Sequence, residues 1–153
     1  MARLEDIPQP TRDVVVNLPC PSFDTHPFVS GPPLAQRRVA IVTSAALISR
    51  GDQPFPFGSG EMRVIPATVP AGDQLISHVS INFDRAGFQR DRNVVFPLDR
   101  LRELAAEGVI GGVAGSHYTV MGSTDPVAMA EAADQIAGQL QQERIDAVLL
   151  TPV

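Results

Sequence analysis

The chain has 153 residues, 44% of them hydrophobic and 19% charged, and a mass of 16.4 kDa, enough for one domain with its own core; wholesale disorder is excluded. All 12 basic residues are arginine, which excludes a lysine-dependent phosphate loop and a lysine Schiff base, and a net charge of −5 argues against nucleic acid. A single cysteine, Cys20, permits no internal disulfide or cysteine-type zinc site, and no stretch resembles a leader or reaches the ~18 apolar residues of a membrane span; a soluble, cytoplasmic protein is expected.

Residues 1–36 hold half of the 14 prolines (Pro8, Pro10, Pro19, Pro21, Pro27, Pro32 and Pro33), which predicts an extended arm with at most a short strand at 14–18. The run VAIVTSAALI, 39–48, predicts a strand buried on both faces. A loop over 49–60 precedes a short strand at 62–65 that Pro66 stops, and 75–93 reads as a polar loop. A helix follows at 97–107, with Leu98, Leu101, Leu104 and Ala105 on its inner face and Gly108 as its stop. Residues 109–114 suit a glycine-containing strand. Ser123-Thr124-Asp125-Pro126 starts a second helix with an inward stripe of Met129, Ala133, Ile136, Ala137 and Leu140, and 145–150 reads as a buried strand.

This alternation predicts an α/β fold: a mainly parallel sheet flanked by helices in a single domain, 37–153, behind a proline-rich N-terminal arm, 1–36. Ligands of such sheets sit beyond the carboxyl ends of the strands, so the loops after Thr43 and Leu150 are the expected site walls. The chain stops there, at Thr151-Pro152-Val153, and the domain reads as truncated at its C-terminus.

The densest set of functional groups is His78, Asn82, Asp84, Arg85, Asp91, Arg92 and Asn93, within sixteen positions. His78 suits a general acid or base, Asp84 its orienting partner, and Arg85 a two-pronged grip on a substrate carboxylate. The alternative is a solvated loop whose Asp and Arg side chains pair with one another and cap the next helix. A second group, 111–118, ends in His117 and Tyr118; its glycines lack the GxGxxG spacing of a dinucleotide site, and a strand-to-turn with both side chains partly buried is the competing interpretation. Thr43-Ser44 is a candidate to hydrogen-bond a ligand, with an ordinary polar pair near a strand end as the competing interpretation, whereas Cys20, between two prolines, has no cation to activate it. His26, His78 and His117 lack metal-ligand spacing, so no metal site is expected.

The segments VTSAALISRGDQPF (42–55), SHVSINFDRAGFQRDRNVVFPLDRLRELAAEGVIG (77–111), SHYTVMG (116–122) and DAVLLTPV (146–153) resemble the selenoprotein subunits of the D-proline reductase and glycine, sarcosine and betaine reductase B family. The resemblance implies a redox residue, selenocysteine or cysteine, directly after Val153, so that the chain would continue through a UGA codon. It also implies reductive cleavage of an amino-acid C–N bond, D-proline opening to 5-aminopentanoate, with a dithiol as donor and a pyruvoyl group on a partner subunit of an oligomeric complex. On that pattern His78 and Asp84 handle protons, while Ser44, Arg85, Asn93, His117 and Tyr118 contact the substrate. Two alternatives stand beside it: a non-catalytic binding or assembly module derived from the reductase scaffold, and a stand-alone hydrolase or lyase built on His78 and Asp84.

Overall fold

The computed structural model describes residues 3–17, 19, 22, 24–80 and 85–153. Within the N-terminal segment, where an extended chain is expected, Gln9–Val16 forms a helix, α1. Pro8 is its N-cap and Pro10 lies in its first turn, where a missing N–H costs nothing because no intrahelical acceptor faces it. Val14, Val15 and Val16 are helical and exposed, not a strand; Leu18 lies outside the described residues.

The run 39–48 breaks in two. β1 (Arg38–Thr43) ends where Thr43 Oγ1 accepts the Ala45 N–H at 3.2 Å and Ala46 adopts φ +50°, and the chain resumes as β2 (Leu47–Ser49). After the expected loop come β3 (Met62–Pro66) and β4 (Gln74–Ile76), and β4 pairs antiparallel with β2 as a separate two-stranded sheet, Leu47 opposite Ile76. The polar stretch 75–93 is therefore not one loop. It begins inside β4 and contains α2 (Arg85–Arg90) and a 3₁₀ turn, Arg92–Val94.

α3 (Leu98–Ala106) forms as expected, with Leu98 and Leu101 buried, Leu104 and Ala105 packed against them, and Gly108 left-handed at φ +73° beyond its end. The strand expected at 109–114 shrinks to β5 (Gly112–Val113), while the residues expected to turn belong to β6 (Ser116–Val120). Asp125 accepts the Val127 N–H at 2.9 Å and opens a 3₁₀ turn, Pro126–Met129, that runs into α4 (Ala130–Gln142). Ile136 is buried and Met129 and Leu140 are half-buried, as expected, but the stripe is narrower and takes in Ala132, while Ala133 and Ala137, expected inside, are exposed. The last strand is β7 (Ala147–Thr151).

β1 is the hub of a mixed sheet. Along one edge it pairs parallel with β7, Val39 opposite Ala147 through Thr43 opposite Thr151. Along the other it pairs parallel first with β5, Val39 opposite Val113, and then with β6, Val42 opposite Tyr118. β3 adds to β6 antiparallel, Ile65 opposite His117, so the expectation of a mainly parallel sheet gives way to a single α/β domain with both senses of pairing. Three steps along β1 match five from Val113 to Tyr118, so the β5–β6 side bulges by two residues.

The core lies on the face of Val39, Ile41 and Ile65, against Phe96, Leu98, Leu101 and Ile110. α4 covers the opposite face beside β3, with a hollow lined by Met62, Ala132 and Gln135 between them. β7 is the exception to the expected burial: Val148, Leu149 and Leu150 are 40%, 38% and 68% exposed. Among the described residues only β1 pairs with it. None of their helices is long and apolar enough to cross a membrane.

Candidate functional site at the carboxyl ends of the strands

β1, β6 and β7 run in the same direction, so their carboxyl ends meet at one border of the sheet. Ser44 is where they join. Its N–H donates to the Thr151 carbonyl at 3.2 Å, its carbonyl accepts the Gly122 N–H at 2.9 Å, and its Oγ accepts the Val153 N–H at 2.8 Å. The approach is so close that a Cβ on Gly122 would lie 2.8 Å from the Ser44 carbonyl oxygen, which is why glycine stands there. Thr43 and Thr151 fasten the same border to the strap before α3, donating their hydroxyls to the Val95 carbonyl at 2.8 and 3.2 Å.

A fourth segment arrives from β4: the Ser77 N–H donates to the Ala46 carbonyl at 2.9 Å, and His78 follows at once. His78 is buried, its Nδ1 accepting the Ser80 N–H at 3.2 Å and its carbonyl accepting Arg85 Nη2 at 2.7 Å. Burial, and after it the Arg85 charge, holds the imidazole below its ordinary pKa. At neutral pH it is uncharged and can take up a proton. Arg85 also reaches the Ser80 carbonyl at 3.3 Å, so its guanidinium closes the loop that presents His78. Asp84, expected to orient His78, and Asn82 lie outside the described residues.

His117 and Tyr118 occupy adjacent positions on β6, so their side chains leave opposite faces and cannot line one pocket together. Both are fully buried. His117 Nδ1 accepts the Ile41 N–H at 3.0 Å, filling the gap that the bulge leaves in the ladder, and its ring meets Phe96 edge-on at 5.4 Å. Burial lowers its pKa to about 4, so it is neutral in the native protein. Burial raises the Tyr118 pKa, with Glu143 adding to the effect, and the buried Tyr118 hydroxyl has no hydrogen-bond partner among the described residues.

Asn93 is committed elsewhere. Its Nδ2 donates to Asp91 at 2.8 Å and Asp99 at 3.2 Å, and its Oδ1 accepts the Asp99 N–H at 3.1 Å in the first turn of α3. Arg92 grips Asp99 with two donors, at 2.7 and 3.2 Å, and reaches Gln74 Oε1 at 3.2 Å. These bonds, Arg92 first, hold the Asp99 carboxyl below the ordinary range. Over 91–102 the arrangement is thus the paired, helix-capping one that sequence offered as the alternative to a site. Asn93 lines a shallow groove of about 460 Å³ with Gln74, Phe88, Arg90 and Asp99, and none of Ser44, His78, Arg85, His117 or Tyr118 borders it. Cys20 lies outside the described residues, among which no group of His, Cys, Asp or Glu could hold a metal ion.

The border also depends on Thr151, the first residue of the expected wall after Leu150, and on Gly122 and the Val95 carbonyl, which sequence reasoning passed over. The sequence signal for Gly122 is SHYTVMG, a glycine placed directly after an apolar strand end.

Residues 12–153 match the family model described as glycine/sarcosine/betaine reductase selenoprotein B (GRDB). The chain is similar to the D-proline reductase subunit gamma of Acetoanaerobium sticklandii, 36% identical over 121 residues, which are 77% of this chain and 49% of that protein. It is also similar to the glycine reductase complex component B subunit gamma of Symbiobacterium thermophilum, 33% identical over 141 residues, 87% of this chain and 32% of that protein. The sarcosine reductase complex component B subunit beta of Peptoclostridium acidaminophilum is 28% identical over 139 residues, again 87% and 32%. The chain therefore spans about half the length of the first relative and about a third of the other two. No solved structure matches it.

Proposed function

Because the chain belongs to the glycine/sarcosine/betaine reductase selenoprotein B family, we propose that it works in a multi-subunit reductase that cleaves the C–N bond of a small amino acid, D-proline opening to 5-aminopentanoate. The observation that carries the substrate choice is the 36% identity to a D-proline reductase subunit over 77% of the chain. Support for the redox part comes from the border of the sheet. Residues 151–153 run directly into the Ser44 bracket, so a residue attached to Val153 would start from a fixed backbone position at the expected ligand edge. Such a selenocysteine or cysteine supplies the nucleophile, and a dithiol supplies the two electrons and two protons that the cleavage consumes.

This chain's own residues then handle position and protons. His78, neutral because it is buried, takes a proton at Nδ1 once the Ser80 N–H is released and passes it to the leaving nitrogen. Asp84 orients it. Arg85, whose charge already acts on His78, binds the substrate carboxylate with Ser44 at the mouth of the site. Asn93, His117 and Tyr118, buried or bonded to other protein groups, support the strands beneath it. The carbonyl that activates the amine is a pyruvoyl group on a partner subunit, and the complex resides in the cytoplasm.

The test is reconstitution of the chain, continued past Val153, with its pyruvoyl-bearing partner and a dithiol. Mass spectrometry should detect 5-aminopentanoate from D-proline. Turnover of glycine, sarcosine or betaine in its place would move the substrate within the family, and no product from any of the four would overturn the reductase reading. His78→Ala should lower kcat about 100-fold or more with an unchanged melting curve.

A further inference from the structure

The two borders of the main sheet are built differently. β3, on one side, carries Arg63 as its second residue, ends in Pro66, and has Glu61 paired with Arg63 at 2.6 Å. Charge and proline at an edge discourage further pairing. β7, on the other side, reads AVLLT and continues as Pro152-Val153, without one charged residue. Val148 and Leu150 project from one face and Leu149 from the other, so apolar surface is open on both faces of the same strand. β1 already has partners along both of its edges, and Val39 pairs with Val113 and Ala147 at once. A strand added on this side can therefore pair only with the outer edge of β7.

We propose that the outer edge of β7 is a docking edge for a β-strand from the portion of the reductase polypeptide that the relatives possess and this chain does not span. That portion is about half of the D-proline reductase relative, which is ample for a strand and a covering helix. The inference rests on the family and on the edge, not on the substrate, so it stands or falls separately from the redox reading.

The experiment mixes the purified 153-residue chain with a polypeptide comprising the part of the Acetoanaerobium sticklandii D-proline reductase subunit gamma outside the matched 121 residues. Light scattering on a sizing column should give a 1:1 complex, in which the Leu149 amide, which faces away from β1, exchanges about tenfold more slowly or better than in the chain alone. Leu150→Lys should abolish the complex without changing the melting curve of the isolated chain, since that side chain is largely exposed. Val64→Lys, on β3, should leave the complex intact. No complex with the wild-type chain overturns the proposal, as does a complex indifferent to Leu150→Lys or equally lost with Val64→Lys. A wild-type chain that dimerises through the same edge overturns it too, by showing a second copy to be the occupant.

Discussion

His117 shows what a single polar residue can do inside this sheet. Its Nδ1 takes the Ile41 N–H that the bulge between β5 and β6 leaves without a ladder acceptor. Replacing it with Phe keeps a ring against Phe96 but strands a buried donor, so His117→Phe should cost about 1–3 kcal/mol in urea unfolding. The same residue sets a pH dependence. Buried, it protonates only near pH 4, whereas the unfolded chain binds the proton near 6.5; native stability is thus complete above about pH 6.5 and declines as the pH falls towards 4. Urea titrations across that window should show the decline, on the order of 3 kcal/mol, and His117→Phe should remove most of it. Ser44 acts on a smaller scale. Ser44→Ala should cost about 1 kcal/mol and speed exchange of the Val153 amide, measured by NMR, while leaving the fold intact.

At the scale of elements, the start of α3 depends on a polar knot. Arg92, Asn93 and Arg102 converge on Asp99, and Arg92 also ties this helix to Gln74 on β4. Arg92→Ala should destabilise the protein by about 1 kcal/mol, a modest figure because the Asp99 side chain is one-third exposed; thermal unfolding checks it. Gly122→Ala should do more, about 1–3 kcal/mol, by pushing a methyl group into Ser44 and prising the ends of β1 and β6 apart. Leucine spacing and Gly108 made α3 legible in the sequence. β4 and β6 were not, because QLI and SHYTV become strands through their partners: β2 for the first, β1 and β3 for the second. α4 was legible as a helix, with Ile136 buried and Met129 and Leu140 half-buried as its spacing implies, but not that its small inward residue is Ala132 and not Ala133, which depends on what packs beside it.

For the whole molecule, the arrangement explains why a chain with no lysine and few candidate nucleophiles can still belong to a redox family: it supplies a border where three strands end together. If the redox residue follows Val153, the product of the native gene should have an intact mass above 16.4 kDa and contain selenium or one further cysteine. A lone species at 16.4 kDa, from a gene with no such continuation, would refute that placement. The candidate site was half legible. Ser44 and His78 were singled out from their types and positions, and the carboxyl-end rule named the loops after Thr43 and Leu150. The border that carries them was not, because it is made by main-chain bonds from Ser44 to Gly122 and Thr151 and from Ser77 to Ala46 that leave no pattern along the chain.

Sequence by itself settled that this chain holds no lysine and a single cysteine, which family motifs it carries and where its strongest helix lies, since residue type and short-range spacing are properties of the chain alone. Only the tertiary structure decided that the apolar run 39–48 breaks at Ala46, that polar SHYTV is a central strand and that apolar β7 stands at an open border. Each depends on whether a distant segment supplies the matching donors, acceptors and surface, and hydrophobicity along a chain does not encode which neighbour will.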